Sequence, residues 1–228
     1  MSKLLAGDCR EVLKTLEADS VDCVVTSPPY WGLRKYKLSD TIWDAQDGCR
    51  HEWILENKET GQTHWNQGGK VIPNNERLTR DGGITQTGFC QSCGAWKGQL
   101  GLEPSIELYI KHLVGIFDEV KRVLKPSGVA FCNLGDSYAG SGGAGDWSKR
   151  KAGKQEYAGP HGDNPNRFIT TRGMLKPKDL CLIPFRFAIA MQEAGWWVRS
   201  TIIWSKNNPM PESCKDRPSE SHEYIFLF

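Results

Sequence analysis

Four residues have the types and the spacing of a metal site. Cys49 and His51 form a Cys-x-His pair, and Cys90 and Cys93 form a Cys-x-x-Cys pair. The second pair can place two thiolates on one metal ion, and the first can complete a tetrahedral set. Four protein ligands leave no open coordination position, so the sequence predicts a structural zinc site. His64 is the alternative to His51, and cysteines that fall by chance in a loop are the alternative to a metal site.

A rigid corner is predicted where TSPPY, residues 26–30, follows the apolar run Val21–Val25. Proline fixes its own φ and has no N–H to donate to a sheet ladder. The apolar run is therefore expected to form a strand that stops at the two prolines, with aromatic side chains directly behind them. Without further context, the same pattern is also typical of a rigid turn between a strand and a helix.

A second candidate site lies at GDC, residues 7–9, just after residues 3–6, which we expect to form a short strand. In an open α/β sheet, ligands bind outside the carboxyl ends of strands, which is where this segment and TSPPY both fall. Asp8 could accept hydrogen bonds there from an amine or a ribose. It could also cap the helix that the periodicity predicts over residues 9–18, and the two roles are compatible.

The elements that must position these residues follow from the apolar periodicity. Strands alternate with helices along the chain, which favours an α/β fold. The run Val21–Val25 is nearly all apolar, as expected for a strand that is buried on both faces. The other predicted elements are helices over residues 106–125 and 181–195 and strands over residues 129–135, 196–204 and 223–228.

Periodicity fades between Trp31 and Leu100, where the sequence is polar and rich in Gly and Asn but contains the candidate metal ligands. A structureless loop of that length is improbable inside a compact domain. We therefore predict one α/β domain formed by residues 1–36 and 100–228, into which residues 37–99 are inserted as a small zinc-binding module.

Residues 139–173 are rich in Gly and basic residues and show no periodicity, so they are predicted to form a flexible basic loop. Lys149, Arg150 and Lys151 lie in its most basic run. Basic residues among glycines can follow phosphate groups without reading sequence. A charge run of this kind is also typical of a solvated linker.

Composition narrows the class of protein. Hydrophobic residues make up 39% and charged residues 25%, which suits one sizeable core. No apolar run approaches the ~18 residues of a membrane span, and no signal peptide is evident, so we expect a cytoplasmic protein. Disulfides are unlikely in that compartment. The cysteines outside the metal set are expected to be buried thiols, namely Cys9, Cys23, Cys132, Cys181 and Cys214.

TSPPY resembles the [Asp/Asn/Ser]-Pro-Pro-[Tyr/Phe/Trp] motif of the DNA amino-methyltransferases, which methylate N4 of cytosine or N6 of adenine. Its flanks extend the likeness to the β-type members, and the similarity covers most of the chain. The matching segments are GDCREVLKTL at 7–16, VDCVVTSPPYWGLRKY at 21–36, KRVLKPSGVAFCNLGDSYAG at 121–140, LKPKDL at 175–180, IPFRFA at 183–188, IIWSKNNPMPES at 202–213 and RPSESHEYIF at 217–226.

The resemblance implies a Rossmann-like sheet of the S-adenosylmethionine-dependent methyltransferases, incomplete here, and double-stranded DNA as the substrate. An exocyclic amine is a poor nucleophile because its lone pair is delocalised into the ring. Ser27 Oγ and the Pro28 carbonyl are the implied acceptors for its protons, and Pro28 and Pro29 would hold them still. Tyr30 would stack on a base that is flipped out of the duplex.

Other roles follow from the same likeness. Ser27 stands where many N6-adenine enzymes have Asp, which favours cytosine N4 as the target and leaves adenine N6 as the alternative. Trp31 could widen the stacking surface or could be a core aromatic. Arg34 could contact the DNA backbone. Asn133 and Asp136 could line the target pocket or could be turn residues.

The implied methyl donor is S-adenosylmethionine, with Asp8, Cys9 and Thr26 as the candidate contacts. The chain contains no F-x-G-x-G motif, which cradles most of the donor in this family. The Gly-rich run at 141–145 is weak evidence for a substitute because no fresh strand precedes it. We expect a gap in the sheet beside the TSPPY strand. The sequence then fits a truncated reading frame, half of a split enzyme that needs a second polypeptide, or an inactive zinc-stabilised DNA-binding remnant.

Overall fold

The computed structural model describes residues 2–53, 77–78, 84–85, 88–139, 175–176, 178–209, 211 and 215–228. The chain forms two compact units. One comprises Met1–Lys35 with Leu100–Phe228, and the other comprises Tyr36–Gln99. The second unit differs from the predicted insertion only at its first residue.

The described residues contain three helices and eight strands. In order they are α1 (Cys9–Lys14), β1 (Val21–Thr26), β2 (Thr41–Trp43), β3 (Arg77–Leu78), β4 (Ile84–Thr85), β5 (Trp96–Gly98), α2 (Ile106–Val123), β6 (Leu124–Leu134), α3 (Ile183–Glu193), β7 (Ser200–Ser205) and β8 (His222–Leu227).

A mixed four-stranded sheet in the order β1-β6-β8-β7 forms the centre of the first unit. Strands β1 and β6 run parallel, and β8 runs antiparallel to both β6 and β7. The parallel pair is joined through α2, as expected for a crossover connection. The predicted α/β class is confirmed.

The core of this unit is made by residues of α2, α3, β6 and β8. Helix α2 begins where the Ser105 hydroxyl accepts a hydrogen bond from the Leu108 N–H at 3.2 Å, which caps the helix. An aromatic cluster joins the two helices to the sheet, with ring centroids 5.2–6.3 Å apart in edge-to-face geometry. Its members are Phe117, Phe187, Trp196 and Phe228.

Strand β1 corrects one prediction about burial. The strand was expected to be buried on both faces, yet Cys23 is exposed and Val25 is 78% exposed. The reason is its place in the sheet, since within the described residues β1 pairs with β6 alone. Within the described residues β1 is therefore an edge strand.

Strand β7 is also more open than its sequence suggests. All of its residues are exposed, including Ile203 and Trp204, and the described part of the sheet ends with it. It begins at Ser200 rather than at the predicted residue 196, because Trp196 turns into the aromatic cluster.

The amino-terminal predictions were partly wrong. Residues 3–6 form no strand. Helix α1 ends at Lys14, earlier than expected, and it has no buried residue that could stabilise a further turn. Cys9 is exposed like Cys23, whereas Cys132 and Cys181 are buried as predicted. Cys214 lies outside the described residues. Among the helices that the structure describes, none is both long and apolar enough to cross a membrane.

The second unit contains a short antiparallel pair, β2 and β5, in which Trp43 lies opposite Trp96. Gly98 accepts a hydrogen bond on its carbonyl from Trp43 Nε1 at 3.2 Å. A Cβ at Gly98 would lie 2.2 Å from the Trp96 ring, so the packing of this tryptophan requires glycine there. The two buried indoles give the unit a small core of its own.

Candidate functional site

The TSPPY corner lies at the carboxyl end of β1, and β6 ends beside it. Thr26 pairs with Cys132, so Asn133 follows on β6 at the same edge of the sheet. This edge is the position where open α/β sheets bind ligands. The structure therefore brings TSPPY and the end of β6, which carries the candidate residue Asn133, to the same edge of the sheet.

Helix α2 holds the corner through a side chain. The Tyr109 hydroxyl donates to the Pro29 carbonyl at 2.7 Å. Among the described residues, the Pro28 carbonyl receives no hydrogen bond. Of the two proline carbonyls, Pro28 is therefore the one left available to a ligand, and Ser27, the preceding residue, is exposed.

Trp31 is a core residue and not an extension of a stacking surface. Its side chain is 5% exposed, and its indole N–H donates to the Glu103 carbonyl at 3.0 Å. The Gly32 N–H donates to the Gly101 carbonyl at 2.7 Å. Gly101 has a φ of +88°, and a Cβ there would lie 3.0 Å from the Tyr30 carbonyl oxygen. Of the two alternatives for Trp31, the core aromatic is the one that this burial matches.

A buried pair fixes the loop that supports this packing. The Glu103 carboxylate lies 2.9 Å from His112 Nδ1 on α2, and both side chains are almost completely buried. The other carboxylate oxygen accepts from the Gly101 N–H at 2.8 Å. Both oxygens are thus satisfied, as a buried carboxylate requires. The loop is thereby tied to α2, which also carries Tyr109.

Tyr30 is half-buried, and its ring lies against the backbone of Gly135. A Cβ at residue 135 would approach the ring to 2.5 Å. The Tyr30 hydroxyl donates to Glu223 Oε2 at 3.0 Å, and Ser27 Oγ lies 3.4 Å from the same hydroxyl. Burial, together with the neighbouring Glu223 carboxylate, raises the pKa of Tyr30 to about 12.

Glu223 is a site residue that sequence reasoning missed. It lies on β8, and its carboxylate also receives Asn133 Nδ2 at 3.0 Å and Lys206 Nζ at 2.5 Å. Burial acts to raise its pKa, but hydrogen bonds from Lys206, Asn133 and Tyr30 hold that pKa below the ordinary value. The segment RPSESHEYIF contains it, but only strand pairing reveals that it reaches the corner.

Asn133 and Asp136 have different positions. Asn133 belongs to the Tyr30–Glu223 group. Asp136 Oδ1 instead accepts from the Ser137 N–H at 2.8 Å and from the Ile183 N–H at 3.1 Å, so it caps the start of α3. Burial raises the pKa of Asp136. The turn alternative matches Asp136, whereas the pocket role of Asn133 stays a prediction.

The predicted metal ligands lie together in the second unit. One ligand atom from each of Cys49, His51, Cys90 and Cys93 falls within 4.8 Å of all the others. Cys93 Sγ is 3.4 Å from His51 Nδ1. The Gly94 N–H donates to the Cys90 carbonyl at 2.9 Å, which forms the tight turn between the two thiols. His64, the alternative ligand, lies outside the described residues.

The predicted DNA contacts are only partly described. Arg34 is exposed just beyond the corner. Lys149, Arg150 and Lys151 lie outside the described residues, as does nearly all of the predicted loop over 139–173.

Comparisons with known proteins identify the family of the chain that contains this corner. The family model for the N6/N4 type of DNA methylase matches residues 21–228. The type II methyltransferase M.SmaI of Serratia marcescens is 36% identical over 229 residues, which are 99% of this chain and 54% of that protein. M.XycI of Xanthomonas campestris pv. cyanopsidis is 35% identical over 231 residues, 100% of this chain and 54% of that protein.

The chain belongs to the N6/N4 DNA methylase family. This confirms the family that the TSPPY motif and its flanks predicted. The chain spans about half the length of the curated relatives it matches. Among solved structures, the cytosine-N4-specific PvuII DNA methyltransferase matches with a TM-score of 0.46 and 14% identity, over 97% of this chain and 46% of that one.

The methylase family implies S-adenosylmethionine as methyl donor, and the predicted contacts to it have different surroundings. Asp8 caps α1 by accepting from the Arg10 N–H at 2.9 Å, as its structural alternative predicted. The Arg10 guanidinium binds both carboxylate oxygens and lowers the pKa of Asp8. The hydrogen-bonding capacity of the Asp8 carboxylate is therefore largely used within the chain. Cys9 is exposed, and Thr26 ends β1.

Replacing Gly135 with alanine tests how closely the Tyr30 ring packs against the backbone at residue 135. The Gly135→Ala variant should lose about 1–3 kcal/mol of unfolding free energy because the new Cβ collides with the ring. Urea denaturation, followed by tryptophan fluorescence, measures the loss.

Gly115→Ala is the matched control. A Cβ at Gly115 of α2 meets nothing within 4 Å, so this variant should be neutral or more stable by up to about 1 kcal/mol. Equal stability changes in the two variants would contradict the described packing of Tyr30.

Proposed function

We propose that this chain supplies the target-base half of an S-adenosylmethionine-dependent DNA methyltransferase that modifies the exocyclic amine of a flipped base, with N4 of cytosine as the preferred target. The observation that carries the proposal is the corner itself. Ser27 Oγ lies 3.4 Å from the Tyr30 hydroxyl, and the prolines and Tyr109 hold the backbone that carries the Pro28 carbonyl.

The two acceptors make the amine a better nucleophile. Hydrogen bonds from its protons to Ser27 Oγ and the Pro28 carbonyl draw the nitrogen towards tetrahedral geometry, which localises the lone pair for attack on the methyl group. Because Tyr109 already occupies the Pro29 carbonyl, the amine has one backbone acceptor at a defined position. Groups that are oriented before the reaction need not reorganise during it, which lowers the barrier.

Tyr30 holds the base for this reaction. A base that leaves the duplex loses its stacking partners, and an aromatic side chain replaces part of that interaction. Stacking on one aromatic residue contributes roughly 1–3 kcal/mol per base. The Gly135 backbone supports one part of the ring, which leaves the stacking surface well ordered.

The methyl donor requires residues beyond those described. S-adenosylmethionine supplies the methyl group when bound, and Asp8, Cys9 and Thr26 are this chain's proposed contacts to it. The chain lacks an F-x-G-x-G segment. We therefore propose that a polypeptide segment outside this sequence completes the donor site. This segment could belong to a second polypeptide. It would also cover the exposed edge of β1, where Val25 is open to solvent.

Double-stranded DNA is the proposed substrate and the cytoplasm the proposed location. Arg34 and the basic residues Lys149, Arg150 and Lys151 are proposed to contact phosphate groups, which would make binding fall steeply with salt. The adenine-N6 reaction is the nearest alternative. A zinc-stabilised DNA-binding protein without catalysis is the alternative from another class, since the donor motif is missing.

Ser27→Ala and Tyr30→Ala separate the enzyme from the binding protein. DNA from cells that express the gene in its native context should contain N4-methylcytosine, and Ser27→Ala should reduce it about 10²–10³-fold by removing one preorganised acceptor. DNA binding should weaken only modestly in both variants. Methylated-base analysis by mass spectrometry and a filter-binding assay measure the two effects.

Ser20→Ala, an exposed serine just before β1, is the matched control and should retain methylation. N6-methyladenine in place of N4-methylcytosine would favour the alternative target. If neither base appears in cells with the unaltered gene, the proposed activity is wrong and the binding protein remains.

The isolated chain should bind S-adenosylmethionine weakly, because Arg10 already engages Asp8 and the glycine-rich donor segment is missing. Isothermal calorimetry with the purified chain measures this affinity. Tight, stoichiometric binding would contradict this expectation and show that the chain alone forms a complete donor site.

The second unit is proposed to hold a structural zinc ion on Cys49, His51, Cys90 and Cys93. The nearness of the four ligand atoms supports this proposal. Three thiols and one imidazole suit a tetrahedral Zn²⁺ ion and leave no coordination position for a substrate. Zinc would then stabilise a unit whose described core is small.

Metal analysis of the purified chain by plasma mass spectrometry should find about one zinc ion per chain. Cys93→Ser should lower this content and the melting temperature together, because metal binding is coupled to folding. Cys23→Ser, at an exposed thiol outside the cluster, should change neither value. Less than one zinc per several chains in the unaltered protein would refute the site.

A further inference from the structure

Glu223 lies where three strands and the TSPPY corner meet. Its carboxylate, on β8, receives hydrogen bonds from the Tyr30 hydroxyl of the corner, from Asn133 on β6 and from Lys206 just after β7. The side chain is 21% exposed, so solvent weakens these contacts only partly. No other carboxylate among the described residues has a contact with Tyr30.

The charge of Glu223 is maintained by its surroundings. Lys206 lies 2.5 Å from Oε1, and the Lys206 backbone N–H is bound to the Ser221 carbonyl at 2.7 Å. An ionised carboxylate forms hydrogen bonds that are roughly twice as strong as those between neutral groups. Glu223 is therefore the strongest acceptor that the Tyr30 hydroxyl meets.

The carboxylate also decides the direction of the neighbouring hydrogen bond. An ionised carboxylate can only accept, so Tyr30 must donate its single hydroxyl proton to Glu223. The Tyr30 oxygen then offers only lone pairs to Ser27, which lies 3.4 Å away. In that contact Ser27 is the donor, and the lone pairs of its Oγ stay available for another partner.

We propose that Glu223 is a positioning residue of the target-base site, which anchors the Tyr30 ring and sets the proton order Ser27 to Tyr30 to Glu223. This inference rests on the proposed function. In that order Ser27 Oγ is presented to the base as an acceptor for an amine proton. A neutral residue at 223 could donate to Tyr30, and the order could then reverse.

The Glu223→Gln variant tests the proposal in the active methyltransferase. Its kcat for methyl transfer should fall roughly tenfold to hundredfold, the range expected for losing a hydrogen bond to a charged group, while KM for DNA changes little. Tyr30→Phe, which keeps the ring and removes the hydroxyl, should have a similar effect. In the double variant, Glu223→Gln should add little because both changes break one contact.

Glu119→Gln is the matched control. Glu119 is also ion-paired, at 2.8 Å from Arg122, but it lies on the surface of α2. This variant should retain kcat. Independent, multiplying effects of Glu223→Gln and Tyr30→Phe would overturn the proposal, as would an unchanged kcat in Glu223→Gln.

A second measurement requires neither DNA nor methyl donor. In the chain labelled with 3-fluorotyrosine, the ¹⁹F resonance of Tyr30 is assigned by its absence in Tyr30→Phe. This resonance should shift or broaden in Glu223→Gln and not in Glu119→Gln. An unchanged resonance overturns the inference even if methyl transfer is found.

The two measurements distinguish the two proposals. A shifted resonance in a protein without any methyl transfer refutes the proposed function and supports the anchoring of Tyr30. If Glu223→Gln does not fold, Tyr30→Phe breaks the same hydrogen bond from the other side. An unchanged kcat in folded Tyr30→Phe then overturns the proton order.

Discussion

The hydrogen bond from Tyr109 to the Pro29 carbonyl is the contact on which the site depends. Two prolines without N–H groups cannot be held by sheet pairing, so the corner needs a partner from elsewhere in the fold. Helix α2 provides it with a side chain rooted in the main core. The same helix carries His112, which binds Glu103 and through it the loop at Gly101. Packing of one helix thus fixes the corner from two sides.

The contacts by which α2 holds the corner are polar as well as apolar. Forming the polar contacts contributes little free energy, whereas breaking them costs more. The Glu103–His112 pair is buried, so its desolvation offsets much of its attraction, but loss of either partner would leave a buried group unsatisfied. The corner is consequently held by contacts that tolerate little change. Strands β1 and β7, at the two edges of the described sheet, instead carry exposed apolar side chains such as Val25 and Trp204. The same unit therefore combines a tightly held corner with strands whose apolar side chains are exposed.

Much of this arrangement was predictable because local patterns encode it. Periodicity located α2, β6 and α3, and the prolines marked the end of β1. The predictions failed where the surroundings of an element decide its burial. Cys23 and Val25 look like core residues in sequence, but within the described residues the sheet ends at β1. For Trp31 the sequence left a stacking surface and a core position both open, and the hydrogen bond from its indole to the Glu103 carbonyl lies in the core.

The sequence by itself determined the corner, the family and the Cys-x-His and Cys-x-x-Cys pairs, since each depends on neighbouring residues and their chemistry. Only the tertiary structure decided which distant side chains join the corner and which two pairs form one cluster. Glu223 lies 193 positions from Tyr30 along the chain, and pairing between strands alone brings its carboxylate to that hydroxyl. Likewise, chain folding alone brings Cys49 and His51 to Cys90 and Cys93. Contacts between distant segments depend on register and packing, which no short motif specifies.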